Sequence, residues 1–224
     1  LHDALPISCF IFRFTRVNAY ALRDGQVKQQ LTPQRQLTQA QRTHPGSPPG
    51  GVEERSAATS RYLAGDLDVT DGFAVEDIDW LRKSLGGQVQ LAPYFGTVLL
   101  TMQVSRPPFD SRPLRQALTM AIDRDVLTQK LLRQLYLPAY NLVPPSDGYS
   151  PAVPEWASWP AERRHARARE LYAEAGYSAA HPLVVDLSWP TGGADTRRLL
   201  EALTSMWRVT LGAEVRLSNS EWRM

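Results

Sequence analysis

The sequence is poor in the residue groupings that dedicated chemistry requires. Cys9 is the only cysteine, so no internal disulfide can form, and nothing around it marks a nucleophile. The four histidines, His2, His44, His165 and His181, stand in unlike contexts and never at metal-ligand spacing. The Gly-Gly pairs at Gly86 and Gly192 lack the pattern of a phosphate-cradling loop, and no G-x-S-x-G elbow occurs. Asp66, Asp68 and Asp71 are close together, but strand alternation and the turn that follows account for them. These absences leave no basis for an enzyme, a metal site or a cofactor.

Charge of one sign is also missing. The 25 basic and 23 acidic residues give a net charge of +2, and acids alternate with arginines as on solvated helix faces. A nucleic-acid binder calls for a clustered basic excess, so a basic-helix module is the expectation from another class that this balance disfavours. No apolar run reaches the roughly 20 residues of a membrane span. "CFIFRF" is short and broken by Arg13, and the N-terminus has none of the three parts of a signal peptide.

What is there falls into unequal regions. Leu1 to Ile7, "LHDALPI", reads codon for codon as the translation of a common sequencing-library adaptor ending CTACACGACGCTCTTCCGATCT, and residues 1–8 are set aside from fold reasoning. Residues 9–25 offer a strand-like "FIFRF" followed by "VNAYALRDG". Residues 26–52 are rich in Gln, Thr, Arg, Pro and Gly and carry no acid. Their few apolar residues have no useful period and cannot offset their ordering entropy, so an aberrant or disordered segment is expected: a linker, a disordered loop or a misread stretch.

From Glu53 the signals become regular. "EERSAATSRYLAGD" reads as a helix ending at Gly65, "LDVT" as a short strand, and "VEDIDWLRKSLGG" as a helix closed by Gly86. "QVQLAPY" alternates with Val89 and Leu91 on one side, and "TVLLTMQV" reads as a separate buried strand. In "RPPFDSRPLRQALTMAIDRDVL", Asp110 or Ser111 can cap a helix. Its apolar stripe is Leu114, Ala117, Leu118, Ala121 and Ile122.

Arg112, Arg115 and Thr119 then take the opposite face, which is expected to be solvated with ion pairs to Asp123 or Asp125. A further helix capped by Asp123 is expected to carry Val126, Leu127, Leu131 and Leu135. The proline-punctuated loop after it holds Tyr140, Tyr149, Trp156 and Trp159, aromatics expected to pin the loop to the body. A helix from Pro160 to Gly176 carries the stripe Ala161, His165, Ala168, Leu171, Tyr172 and Ala175. The strand "LVVDLSW", the helix "ADTRRLLEALTSMWRVTLG" and the alternating strand "AEVRLSNSEW" complete an α/β pattern.

The order and spacing of "YLAGDLDVT", "QVQLAPYFGT", "RPPFDSRPLRQALTMAIDRDVL", "PAYNLVPPSDGY", "ARELYAEAGY" and "NSEW" resemble the family 5 extracytoplasmic solute-binding proteins of peptide ABC transporters, in their oligopeptide-binding branch. The resemblance covers Glu53 to Trp222. It implies a periplasmic-binding-protein-like, two-lobed α/β fold, incomplete here. Residues 9–25 and 53–97 would belong to the first lobe and 98–224 to an incomplete second large lobe.

It also implies a peptide ligand, permease subunits of an ABC transporter as partners, a periplasmic or extracytoplasmic location, and no catalysis. A binding protein for cell-wall peptides or another small solute is the alternative within the class. By the family's pattern, Tyr94 of the "PY" pair and Trp222 of the "EW" pair would line the peptide cavity. Aromatic walls suit a site that accepts varied side chains. This chain departs from the family in several places. Val98, Leu99 and Leu100 stand where aromatics are frequent, Gly96 stands where some relatives carry a disulfide cysteine, and "WPT" at Trp189 to Thr191 replaces "YNT". Residues 26–51 lack the expected R-N-P-x-Y-W-D motif, as a local frameshift would produce.

Overall fold

A computed structural model describes residues 10–22, 55–67, 69–71, 73–146, 148–190 and 194–220. The chain divides into two compact units. One comprises Arg16–Phe95 and Leu132–Leu137; the other comprises Leu1–Thr15, Gly96–Leu131 and Pro138–Met224.

In the unit built on Arg16–Phe95, β1 (Phe10–Leu22) pairs antiparallel with β2 (Val69–Asp71), Tyr20 facing Asp71 and Leu22 facing Val69. Between them in sequence, α1 (Arg55–Ala64) ends at Gly65, whose φ of 93° needs a residue without a Cβ. The Asp66 N–H reaches back to the Arg61 carbonyl at 2.9 Å and the Gly65 N–H to Tyr62, so the helix's last carbonyls are satisfied as the sequence predicts. α2 (Ile78–Leu85) follows a short 3-10 turn and presents Ile78 and Leu81 to the interior. These two join Tyr62, Leu67, Phe73, Val75 and Leu135 in one apolar cluster, flanked by Leu85, Val89 and Tyr136. Tyr62 buries its ring there and donates its hydroxyl to Gln88 Oε1 at 2.6 Å, which satisfies its polar end.

β3 (Val89–Thr101) is one continuous strand where the sequence suggested two. The "PYFGT" segment carries no break strong enough to end it, because its proline and glycine fall within extended backbone. Leu91, expected on a half-buried face, is 40% exposed. The sheet order is β2–β1–β3, and β4 (Tyr136–Pro138) also pairs with β1.

Among the described residues, the other unit holds three helices longer than two turns and a parallel strand pair. α3 (Arg112–Met120) begins where Ser111 Oγ accepts the Leu114 N–H at 3.3 Å, with Pro113 in the first turn. Its expected stripe of Leu114, Ala117, Leu118, Ala121 and Ile122 is almost completely removed from water. Burial of each such leucine or isoleucine contributes roughly 1.5–3 kcal/mol.

α4 (Ala161–Glu174) packs on α3 and stops at Gly176, which has a φ of 89°. β5 (Val184–Pro190) and β6 (Glu214–Ser220) pair in parallel, Val184 beside Glu214 through Pro190 beside Ser220. Parallel neighbours need a crossover, and α5 (Ala194–Leu211) supplies it. Leu183, Val185 and Leu187 are buried while Val184 and Asp186 face outward, the period-2 alternation of a strand with one covered face. Buried Tyr172 accepts the Leu183 N–H on its hydroxyl oxygen at 2.7 Å, and burial raises its pKa.

The second expected helix forms but stops early. Asp123 caps it, accepting the Val126 N–H at 3.2 Å, and an α turn, Arg124–Val126, continues as a π-helix over Leu127–Leu131. Arg133 and Gln134 then adopt left-handed φ values of 44° and 63°, and Leu135 leaves for the other unit's core. The expected stripe therefore splits: Leu127 is buried in this unit, and Val126 is 37% exposed.

Candidate functional site

The two residues singled out by sequence are not placed together by the described residues. Tyr94 lies on the β3 backbone with its side chain outside the described ones, and Trp222 falls beyond β6, outside the described residues. The described polar geometry centres instead on the C-terminal end of α3.

A helix leaves its last four carbonyls without intrahelical partners, and the negative end of its dipole lies there. In α3 those carbonyls belong to Leu118, Thr119, Met120 and the cap residue Ala121, because Ala117 keeps the last helix bond. Ala117 accepts the Ala121 N–H at 3.0 Å. Leu118 accepts the Trp207 indole at 2.9 Å, Thr119 accepts Arg124 Nη1 at 3.2 Å, and Met120 accepts Arg164 Nε at 3.2 Å. Side chains from three chain positions thus satisfy three of these acceptors, two of them carrying the positive charge that the dipole favours.

This arrangement corrects the expectation that the arginines of this stretch face water. Arg124 and Arg164 are buried, and so is Arg115, which donates Nη1 to the carbonyls of Phe109 and Asp110 at 2.8 Å each. The expected ion pair from Arg115 to Asp123 or Asp125 is replaced by these two carbonyl bonds. Its reason is geometric: the turn that enters α3 points two carbonyls inward, and a planar guanidinium reaches both from one nitrogen. Arg112 remains exposed, as expected. Asp123 lies 3.8 Å from Arg164 Nη2, a separation that contributes charge balance more than a hydrogen bond.

Arg124 also holds the proline-rich loop. Its Nε donates to the Ala139 carbonyl at 3.2 Å. Its guanidinium carbon lies 4.9 Å from the Tyr140 ring centroid and 5.6 Å from that of Trp156. The two rings meet edge to face at 5.5 Å. Burial raises the Tyr140 pKa, with Arg124 opposing the shift. Arg163 stacks over Trp159 at 3.9 Å, and Thr97 Oγ1 donates to the Leu142 carbonyl at 2.8 Å. Tyr140, Trp156 and Trp159 therefore pin the loop as expected. Tyr149 is 44% exposed and does not share in those ring contacts among the described residues.

Sequence reasoning missed Arg164 and Arg124 as buried anchors. A signal for Arg164 was present: it lies three residues after Ala161 and four before Ala168, on the apolar stripe itself. A charged residue at a stripe position either breaks the stripe or finishes another element's hydrogen bonding, and here it does the second.

The family model described as bacterial extracellular solute-binding proteins, family 5 Middle, matches residues 52–224. The periplasmic oligopeptide-binding protein OppA of Escherichia coli (strain K12) is 35% identical over 166 residues, covering 73% of this chain and 30% of the relative. Among solved structures, the Escherichia coli murein tripeptide binding protein MppA superposes with a TM-score of 0.67 at 32% identity, covering 76% of this chain and 33% of that one. Haemophilus influenzae OppA in complex with the peptide RPPGFSPFR superposes at 0.65 with 33% identity, covering 75% and 34%. The chain spans about a third of the length of the relatives it matches.

Proposed function

The chain belongs to family 5 of the bacterial extracellular solute-binding proteins, and from that membership we propose that it is part of the peptide-capturing component of an oligopeptide ABC transporter. In this reading the protein takes up peptides outside the cytoplasmic membrane and hands them to permease subunits, catalysing nothing. The observation that carries it is the match over residues 52–224 together with 35% identity to a periplasmic oligopeptide-binding protein. Residues 53–97 contribute to the first lobe and 98–224 to the second large lobe. Tyr94 and Trp222 are walls of the peptide cavity, offering ring area without demanding a particular partner.

The burial of Arg115, Arg124 and Arg164 argues against the nucleic-acid reading, because side chains closed off from water cannot neutralise phosphates. A second reading, capture of cell-wall peptides, draws support from the superposition on a murein tripeptide binding protein.

The test is calorimetric titration of the complete gene product with tri- to pentapeptides and with murein tripeptide in competition. Binding of ordinary peptides supports the oligopeptide reading; binding of murein tripeptide alone selects the second; binding of neither overturns both. Tyr94→Ala and Trp222→Ala are each expected to weaken peptide affinity about tenfold, or about 1.4 kcal/mol. Trp80→Ala, which removes an exposed ring on α2, should leave affinity unchanged.

A further inference from the structure

His165 stands apart from the bonded side chains around it. It lies on the α4 stripe beside buried Arg164, and its Nε2 is closed off from water without a hydrogen-bond partner. A neutral imidazole has one N–H, and an imidazolium has two. Whichever nitrogen holds the proton in the neutral ring, the protonated ring must carry an Nε2–H. That N–H has no acceptor here.

We propose that His165 makes this unit acid-sensitive: a second proton on its ring creates a cation with an unanswered Nε2–H next to Arg164 and loosens α4 from its packing. The surrounding charges do not offer relief. On its own helix Arg164 and Arg169 oppose a new cation, and only Glu162 favours it. From the turn after α3 comes Asp123, which already balances Arg164 at 3.8 Å. On α3, Arg115 is held by the Phe109 and Asp110 carbonyls, and Arg112 is exposed. On α5, which also packs on α4, Arg197 pairs with Glu201, and Arg198 and Arg208 are exposed. The glutamate of the loop, Glu155, is exposed as well. Burial, ahead of Arg164, lowers the His165 pKa from its ordinary 6.5.

The direction of the effect follows from proton linkage. Above 6.5 the ring is neutral in both folded and unfolded chains. As pH falls through that value the unfolded chain takes up the proton first, so the folded state loses stability until its own lower pKa is passed. The device depends only on folding of this unit and not on the peptide-capture reading.

The experiment compares urea midpoints at pH 7.5 and 5.5 for the wild type, His165→Gln and His181→Gln. The wild type and His181→Gln should both lose midpoint on acidification, and His165→Gln should lose clearly less. Parallel losses in all three would overturn the proposal. Should His165→Gln fail to fold, an NMR titration of the wild-type histidine Cε1–H signals decides: His165 titrating below 6.5 supports the device, and titration at or above 6.5 refutes it.

Discussion

The indole Nε1–H of Trp207 donates to the backbone carbonyl of Leu118 at 2.9 Å, joining positions 89 residues apart. Both residues are almost fully buried, so the bond forms where water cannot replace it. It ties α5 to the carbonyl end of α3 and thereby couples the crossover helix to the helix that carries this unit's main apolar stripe.

Trp207→Phe separates the bond from the packing. A smaller aromatic ring stays and the donor goes, leaving the Leu118 carbonyl buried and unpaired, which alone costs about 1–3 kcal/mol. Trp207→Ala removes both and should cost about 3–5 kcal/mol. Urea denaturation of the two variants measures the difference. Equal losses would mean that the ring contributes nothing beyond the hydrogen bond, and an undiminished Trp207→Phe would mean that the bond contributes nothing.

Arg124 connects the end of α3 to the proline-rich loop through Thr119, Ala139, Tyr140 and Trp156. Lysine keeps the charge but has no planar fork with which to reach two carbonyls while lying across two rings. Arg124→Lys should therefore release the loop while leaving α5 in place. Amide hydrogen exchange is the measurement: faster exchange across residues 139–159 and unchanged exchange in Leu199–Leu211 is the expected pattern. Cation–π contact to the two rings accounts for about 0.5–2 kcal/mol of the loss.

The elements legible in the sequence are those whose signals are local. Gly65 and Gly176 end their helices where a left-handed residue was needed, and the Leu114 to Ile122 stripe is buried as its spacing requires. Ser111 caps α3 through its own neighbourhood. Signals that depend on distant partners were not legible. Nothing near Leu132 foretells that Leu135 joins a core with Tyr62 and Ile78, so the helical pattern at 126–135 holds only as far as Leu131. Arg164 showed itself only by its place on the apolar stripe; Arg115 and Arg124 gave no such sign, because their acceptors are backbone carbonyls, which leave no mark in a side-chain pattern. The proposed site depends on Tyr94 and Trp222, which were found by family resemblance and not by spacing.

Arg164 provides the sharpest test of why charge sits inside this unit. If it were there as half of an ion pair, Asp123→Asn would cost nearly as much as Arg164→Met. The geometry ranks them differently. Arg164 Nε bonds the Met120 carbonyl at 3.2 Å, whereas Nη2 stands 3.8 Å from Asp123, whose side chain keeps 25% of its exposure. Arg164→Met should strand a buried carbonyl at the negative end of a helix and cost about 1.5–3 kcal/mol, the range for a hydrogen bond to a charged donor. Asp123→Asn leaves the amide oxygen able to accept the Val126 N–H and should cost less than about 1 kcal/mol. Chemical denaturation at pH 7.5, where His165 is neutral, isolates the comparison. A larger loss for Asp123→Asn than for Arg164→Met would show that the carboxylate, and not the helix end, is what holds the arginine in the core.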